Sequence, residues 1–193
     1  IKFVEHCYPE LIPHLSTCKS PQQMFGALAK TYYPDQVGKD PSKIVSVSIM
    51  PCTAKKFEAQ RPEMHGSGYR DVDYVLTTRE IARMIREAGI DFATLKDESA
   101  ETLMGAYTGA ATIFGATGGV MEAALRTAYK LVTGNELENI DILPARGLRG
   151  IRAATIDADG LKVQVAVAHG LGNARQLMEE VKDGKPPYHF IEV

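Results

Sequence analysis

Residues 1–193 read as an α/β chain, with mostly parallel sheets flanked by helices, and three observations predict it. The order strand, turn, helix recurs at 44–59, 73–88 and 161–183, and that unit is the one from which parallel sheets are built. The helical stretches carry their apolar residues on one stripe, so each needs a covering layer. Ile151–Asp157 and Leu161–His169 alternate cleanly about Asp157-Ala-Asp-Gly160, which adds one β-hairpin. A chain of this length forms one domain or two small lobes, burying roughly 70% of its unfolded surface.

Residues 1–8 read as a helix with Val4, Cys7 and Tyr8 on one side, closed by Pro9 and Pro13. Ser20-Pro21-Gln22-Gln23 predicts a helix start, with Ser20 as N-cap, Pro21 at the first helical position and Gln23 returning the capping bond. Phe25, Leu28, Ala29 and Tyr32 continue it as an i, i+3, i+4, i+7 stripe until Pro34. A polar loop, 35–43, leads into a strand where Val45, Val47 and Ile49 alternate with Ser46 and Ser48, the pattern of a strand packed between layers. Residues 60–71 form a surface loop with a solvated His65. A second strand at 73–77 precedes a helix capped by Thr77 and Glu80, with Ile81, Met84, Ile85 and Ala88 facing the core and Gly89 ending it.

Residues 91–107 read as a solvated connection. The glycines and threonines of 105–119 surround Ile113 and Phe114 and give backbone that can approach a neighbour closely. Gly115–Gly119 lacks the Lys-Ser/Thr of a phosphate-binding loop, so close packing is the better reading. The following helix, 120–132, is expected to be mostly buried through Met121, Leu125, Ala128 and Val132. After the hairpin, Asn173 with Gln176 predicts another capped helix, carrying Ala174, Leu177, Met178 and Val181 inward and ending at Gly184. Residues 188–193 form the last strand, and His169 reads as a hydrogen-bonded structural histidine.

Chemistry concentrates at the end of the 44–50 strand. Pro51 cannot donate to the sheet, so the chain leaves there and presents Cys52 at the strand's carboxyl edge, where α/β sites collect. Lys55 follows at the start of a short helix, and an ammonium and a helix start both favour a thiolate.

The 22 basic and 24 acidic residues leave a net charge of -2 without a basic block, so neither nucleic acid nor an anionic membrane surface is implied. No apolar run approaches the roughly 18 residues that span a bilayer. The three cysteines, Cys7, Cys18 and Cys52, form no short-spaced pair. Cys7 and Cys18 read as structural thiols, and the pattern points to a reducing, cytoplasmic setting. A periplasmic one stays open, since a chain without an initiator Met would not display its targeting segment.

The run M-P-C-T-A-K-K-F-E at 50–58 closely resembles the M-P-C-x-x-K-x-x-E signature of iron-only (FeFe) hydrogenases. S-P-Q-Q-M-F-G at 20–26, K-T-Y-Y-P at 30–34, R-D-V-D at 70–73, T-T-R-E at 77–80, I-F-G-A-T-G-G-V-M-E-A-A-L-R at 113–126 and Y-H-F-I-E-V at 188–193 resemble the same catalytic domain in the same order. The resemblance covers essentially the whole chain. It implies a two-lobed architecture, with lobes near 1–110 and 111–193, and a six-iron H-cluster: a four-iron cubane bridged by a cysteine to a two-iron unit. It implies reversible reduction of protons to hydrogen, with ferredoxin or a similar carrier supplying electrons.

By that resemblance Cys52 ligates the cubane and Lys55 hydrogen-bonds a cyanide of the two-iron unit. Met50, Pro21, Gln22 and Phe114 line the pocket, Gly115 contributes backbone, and Ser16 matches a position on the proton path. The family's T-S-C-C-P-x-W motif, which would precede Ile1, and its M-A-C-x-G-G-C motif, which would follow Val193, are not in these residues. The chain thus reads as an internal fragment, expected to lack the cluster and activity when alone, and to self-associate. Two rivals stand beside this reading. One is a non-catalytic iron–sulfur protein of the same descent, an assembly factor or a redox or hydrogen sensor. Retention of both Met50 and Lys55 speaks against it, because Cys52 alone would serve a cubane and the lysine has a purpose only beside an anion. The other is a thiol enzyme with Cys52 as nucleophile, which needs a poised histidine or carboxylate that the sequence does not mark.

Overall fold

The computed structural model describes residues 1–101, 104, 108–138, 143–144, 150–184 and 188–193. In chain order the elements are helix α1 (Lys2–Cys7), a 3-10 segment (Pro9–His14), α2 (Pro21–Ala29), α3 (Tyr32–Val37), strand β1 (Val47–Ile49), α4 (Ala54–Ala59), β2 (Tyr74–Leu76) and α5 (Thr78–Glu87). Then follow α6 (Gly109–Ile113), α7 (Gly119–Thr133), β3 (Leu143–Pro144), β4 (Ile151–Ala158), β5 (Leu161–Ala168), α8 (Leu171–Lys182) and β6 (Phe190–Glu192). Parts of the expected 91–107 connection and of the 105–119 stretch, Gly105 among them, lie outside the described residues.

Two compact units form: Ile1–Ser16 with Tyr107–Val193, and Thr17–Ala106. The first 16 residues thus join the later segment of the chain. Contacts within that unit explain why. Val4, Tyr8 and Leu11 pack against Met178 and Val181 of α8, the Tyr8 hydroxyl donates to Glu179 Oε1 at 2.6 Å, and Lys182 pairs with Glu10 at 3.1 Å. Cys7 lies off this contact and is exposed.

The sheet of that unit has the order β3-β4-β5-β6. The second half of β5, residues 165–168, is buried on both faces, as strands between two layers are. Ala166 and Ala168 pack with Ile151 under Ala174 and Leu177 of α8, while Val165 and Val167 pack with Met121 of α7. The hairpin forms as expected, with Asp159 and Gly160 at φ 54 and 88 and the Gly160 amide donating to Asp157. β3-β4 and β4-β5 are antiparallel and β5-β6 parallel, so this sheet is mixed rather than mostly parallel. Of the helix expected to be mostly buried, Gly119 and Met121 are; Leu131 and Val132 at its far end are 81% and 58% exposed. Gly170, not Asn173, caps α8, because the Asn173 side chain turns back to the His169 carbonyl.

In the other unit β1 and β2 pair in parallel, Val47 opposite Tyr74. The apolar face of β1 points outward: Val45, Val47 and Ile49 are each more than half exposed, against expectation. α2 is similarly reversed. Its buried face is Gln22, Gln23 and Gly26, continued by Lys30, while Phe25, Leu28 and Tyr32 are exposed. Gly26 allows this, since a Cβ there would stand 2.6 Å from Asp71 O and from Val72 Cγ2. Pro34 does not stop a helix; it sits in the first turn of α3, where its missing N–H costs nothing. Thr77 and Glu80 make the expected capping box, but α5 buries none of its residues.

Candidate functional site

The Thr17–Ala106 unit builds an elbow at the end of β1. The Met50 amide makes the last bond across the strand pair, to Leu76 O at 2.9 Å, and Pro51 can make none, so the chain turns out and α4 begins after Thr53. Met50 packs on Ala59, Val72 and Val75, which seats α4 against the strand end. Cys52 is left half-buried in the bend. α4 is six residues long, so the favourable end of its dipole is weak.

Gln22 ties this elbow together. Its Oε1 accepts from Ser48 Oγ of β1 at 2.7 Å, and its Nε2 donates to Lys55 O of α4 at 3.4 Å. The Lys55 ammonium lies 3.5 Å from Glu58 Oε2, with both side chains largely covered. An anion therefore stands beside Lys55 within the chain itself, and the lysine alone does not imply an anionic ligand.

Behind the elbow, side chains that the site reading passed over hold α2, β2 and α5. Lys30, 4% exposed, donates to Asp73 Oδ2 and to Arg70 O, each at 2.6 Å, and Asp73 also accepts from the Ser46 amide. Asp71 is fully buried. Burial alone would raise its carboxyl, but the Lys19 ammonium at 2.7 Å and the Ser67 and Gly66 amides more than offset that and hold it down at about 2. Lys56 reaches Glu80 at 2.7 Å, and that ammonium, with the Thr77 amide and hydroxyl, lowers Glu80 to about 2. The signal for all three lay in the motifs R-D-V-D, K-T-Y-Y-P and T-T-R-E: charged residues beside strands and caps with no chemistry to account for them. Gln23, which the sequence assigned to capping, turns inward instead and is fully buried.

Of the candidate residues, Met50, Cys52, Lys55 and Gln22 come together at the elbow, and Pro21 stands exposed at the first position of α2. Ser16, Phe114 and Gly115 belong to the other unit. Ser16 is exposed, and Phe114 closes α6 with 38% of its surface open. The close approach in the glycine stretch falls at Gly119, where a Cβ would lie 1.8 Å from Ile113 O, rather than at Gly115. His169 is hydrogen-bonded as expected, 3.2 Å from Thr117 Oγ1. Neither of two surface concavities includes Cys52: one, about 470 Å³, lies along Arg126, Lys130 and Leu131, the other, about 270 Å³, along Lys56, Gln60 and Arg70. Among the described residues no three His, Cys, Asp or Glu side chains group as a metal site, and no helix is long and apolar enough to cross a membrane.

A family profile described as iron only hydrogenase large subunit, C-terminal domain, matches residues 1–193. The chain belongs to this family. It is 57% identical, over 99% of its length, to the periplasmic Fe hydrogenase large subunit of Nitratidesulfovibrio vulgaris, and 50% identical over its whole length to iron hydrogenase 1 of Clostridium pasteurianum. A third relative, at 34%, is the cytosolic iron–sulfur assembly component 3 of Pongo abelii. Among solved structures, FeFe-hydrogenase HydA1 from Chlamydomonas reinhardtii superimposes with a TM-score of 0.81 at 38% identity, covering 98% of this chain and 55% of that one. The chain spans 45%, 34% and 42% of the three relatives, less than half of each. The cytoplasmic setting read from the cysteines is overturned, since the 57% relative is a periplasmic protein. Thiols with separate jobs need no reducing compartment, so their odd number does not discriminate.

Proposed function

We propose that these residues form part of the catalytic domain of a longer hydrogenase, which reversibly reduces protons to hydrogen with electrons from a ferredoxin-type carrier. The elbow carries this reading: a half-buried thiol follows a proline at a strand's carboxyl end, in a bend held by Met50, Gln22 and α4. A thiolate is the donor an iron–sulfur cluster takes, and the residues fit one ligand of the four a cubane needs. The other three would come from elsewhere in the longer chain. When bound, the H-cluster supplies the electron storage and the open iron position for the reaction. Cys52 anchors the cubane. Lys55, whose ammonium lies 3.5 Å from Glu58, would offer its remaining N–H donors to an anionic cyanide ligand, a charge-assisted bond. Met50 and Pro21 would exclude water and Gln22 would hold the bend; for the other unit the family resemblance gives Phe114 and Gly115 a lining role and Ser16 a place on the proton path.

Identity of 50–57% with hydrogenases against 34% with an assembly component favours catalysis over the non-catalytic rival. Against a thiol enzyme stands the lack of any hydrogen bond from Cys52 to a histidine or carboxylate among the described residues. Iodoacetamide at pH 6 separates the two, since an activated thiolate reacts well below the usual thiol pKa of about 8.5. The decisive test is Cys52→Ala in the full-length protein. Hydrogen turnover and the cubane's electron-resonance signal are both lost; an intact active-site cubane in that variant overturns the assignment.

A further inference from the structure

The turn before α7 is held from outside the helix. Gly118 adopts φ 85, where a Cβ would press on Val167 Cγ2 at 3.2 Å, and Gly119 leaves no room for one at all. α7 therefore starts in a tight reversal and has no side-chain cap of its own. The cap comes from the far end of the chain. Glu192 of β6 accepts the Gly118 amide on Oε1 at 3.2 Å and the Met121 amide on Oε2 at 2.6 Å. These are amides that a helix start leaves unpaired, and over a fifteen-residue helix the dipole favours an anion there. On the other side Thr117 meets His169, just past β5. β5 and β6 run parallel, with Glu192 paired to Val167, so both holds stand at the carboxyl edge of these strands.

We infer that Glu192 is a positioning residue: by capping α7 it fixes the turn that carries Phe114 and Gly115 at the carboxyl edge of β5 and β6. Its consequence for the cofactor rests on the proposed function, which gives Phe114 and Gly115 a lining role. The clamp itself does not. Both oxygens are in use, so glutamine, with one good acceptor and no charge, keeps part of the hold. Alanine keeps none of it.

The test uses the full-length protein, without and with its cluster. In the cluster-free protein, Glu192→Ala speeds amide hydrogen exchange at Gly118 and Met121 by at least about fivefold, the scale of a lost N-cap, with Glu192→Gln in between. Exchange across Ile151–Ala168 stays as in wild type, which shows the sheet to be folded. Unchanged exchange at Gly118 and Met121 in both variants overturns the clamp. In the loaded protein the infrared cyanide and carbonyl bands shift or broaden in Glu192→Ala. Wild-type bands together with lost protection overturn the link to the cofactor, and with it the placing of Phe114 and Gly115. Failure of the wild-type protein to take up any cluster refutes the proposed function instead, while the exchange measurement still decides the clamp.

Discussion

The Lys55 side chain shows how a residue's role depends on its neighbours more than on its motif. Its ammonium already faces Glu58, so truncation has two effects: the donor proposed to face the cluster is lost, and the largely covered Glu58 is left without its cation. In the full-length protein, Lys55→Ala is expected to keep the cubane and impair capture of the two-iron unit, because the thiolate is untouched. Infrared bands at wild-type intensity would sink that expectation. Asp71 gives a second prediction, about pH. Its carboxyl is held at about 2 in the folded chain, against about 3.9 when unfolded. The charged form is thus favoured by folding, and the stability it contributes is complete above about pH 4 and is lost as pH falls through 2. Two pKa units correspond to about 3 kcal/mol. Asp71→Asn should therefore lower the urea midpoint markedly at pH 5 and much less at pH 2; an equal gap at both would show that the carboxylate charge is not what matters.

At the scale of elements, what is settled locally was legible and what is settled by neighbours was not. Ser20 and Thr77 as caps, the Pro51 exit from β1 and the Asp157–Gly160 turn each depend on a few adjacent residues, and each forms as read. The direction a helix faces is another matter. The stripe Phe25, Leu28, Tyr32 marks one side of α2 correctly as apolar, yet the buried side is Gln23, Gly26, Lys30. Periodicity identifies two faces; it does not say which meets Asp71, Val72 and Asp73. The elbow was legible for the same local reason, whereas Gln22 as its tie and Glu192 as the cap of α7 depend on partners 26 and more residues away. Gly26 tests this picture directly. Alanine in its place adds about 1 kcal/mol of helix propensity. The new Cβ, however, meets backbone at Asp71 O, which cannot swing aside as a side chain can, and overpacking of that kind costs about 1–3 kcal/mol. Gly26→Ala should therefore lower the thermal midpoint, and a rise would mean that α2 does not lie against residues 71–72.

For the molecule as a whole, the question is what the outward apolar faces do in a chain shorter than half its relatives. β1 and β2 form a two-stranded sheet, a size that is marginal without a covered face, and Val45, Val47, Ile49 and Tyr74 leave one face open at 51–64% exposure. Completing the burial of a half-exposed side chain of this size contributes about 1 kcal/mol. Four such residues give about 4 kcal/mol, at the lower limit of the 4–15 kcal/mol that association costs. Phe25, Leu28 and Tyr32 on α2 add a second patch of similar exposure. The balance predicts weak association rather than a tight dimer. The 193-residue chain expressed alone with an initiator Met should therefore show a scattering mass that rises with concentration. It should also take up no stoichiometric cubane on anaerobic iron–sulfide reconstitution, because on the proposed reading Cys52 is one ligand where four are needed. Association and cluster loss have separate causes, and a variant tells them apart. Val47→Lys places a charge in the centre of the strand face, which should abolish the concentration dependence and leave the reconstituted chain as colourless as before. A monodisperse wild-type chain would show that the face is not sticky, and a brown stoichiometric cluster would show that Cys52 finds its other ligands within residues 1–193.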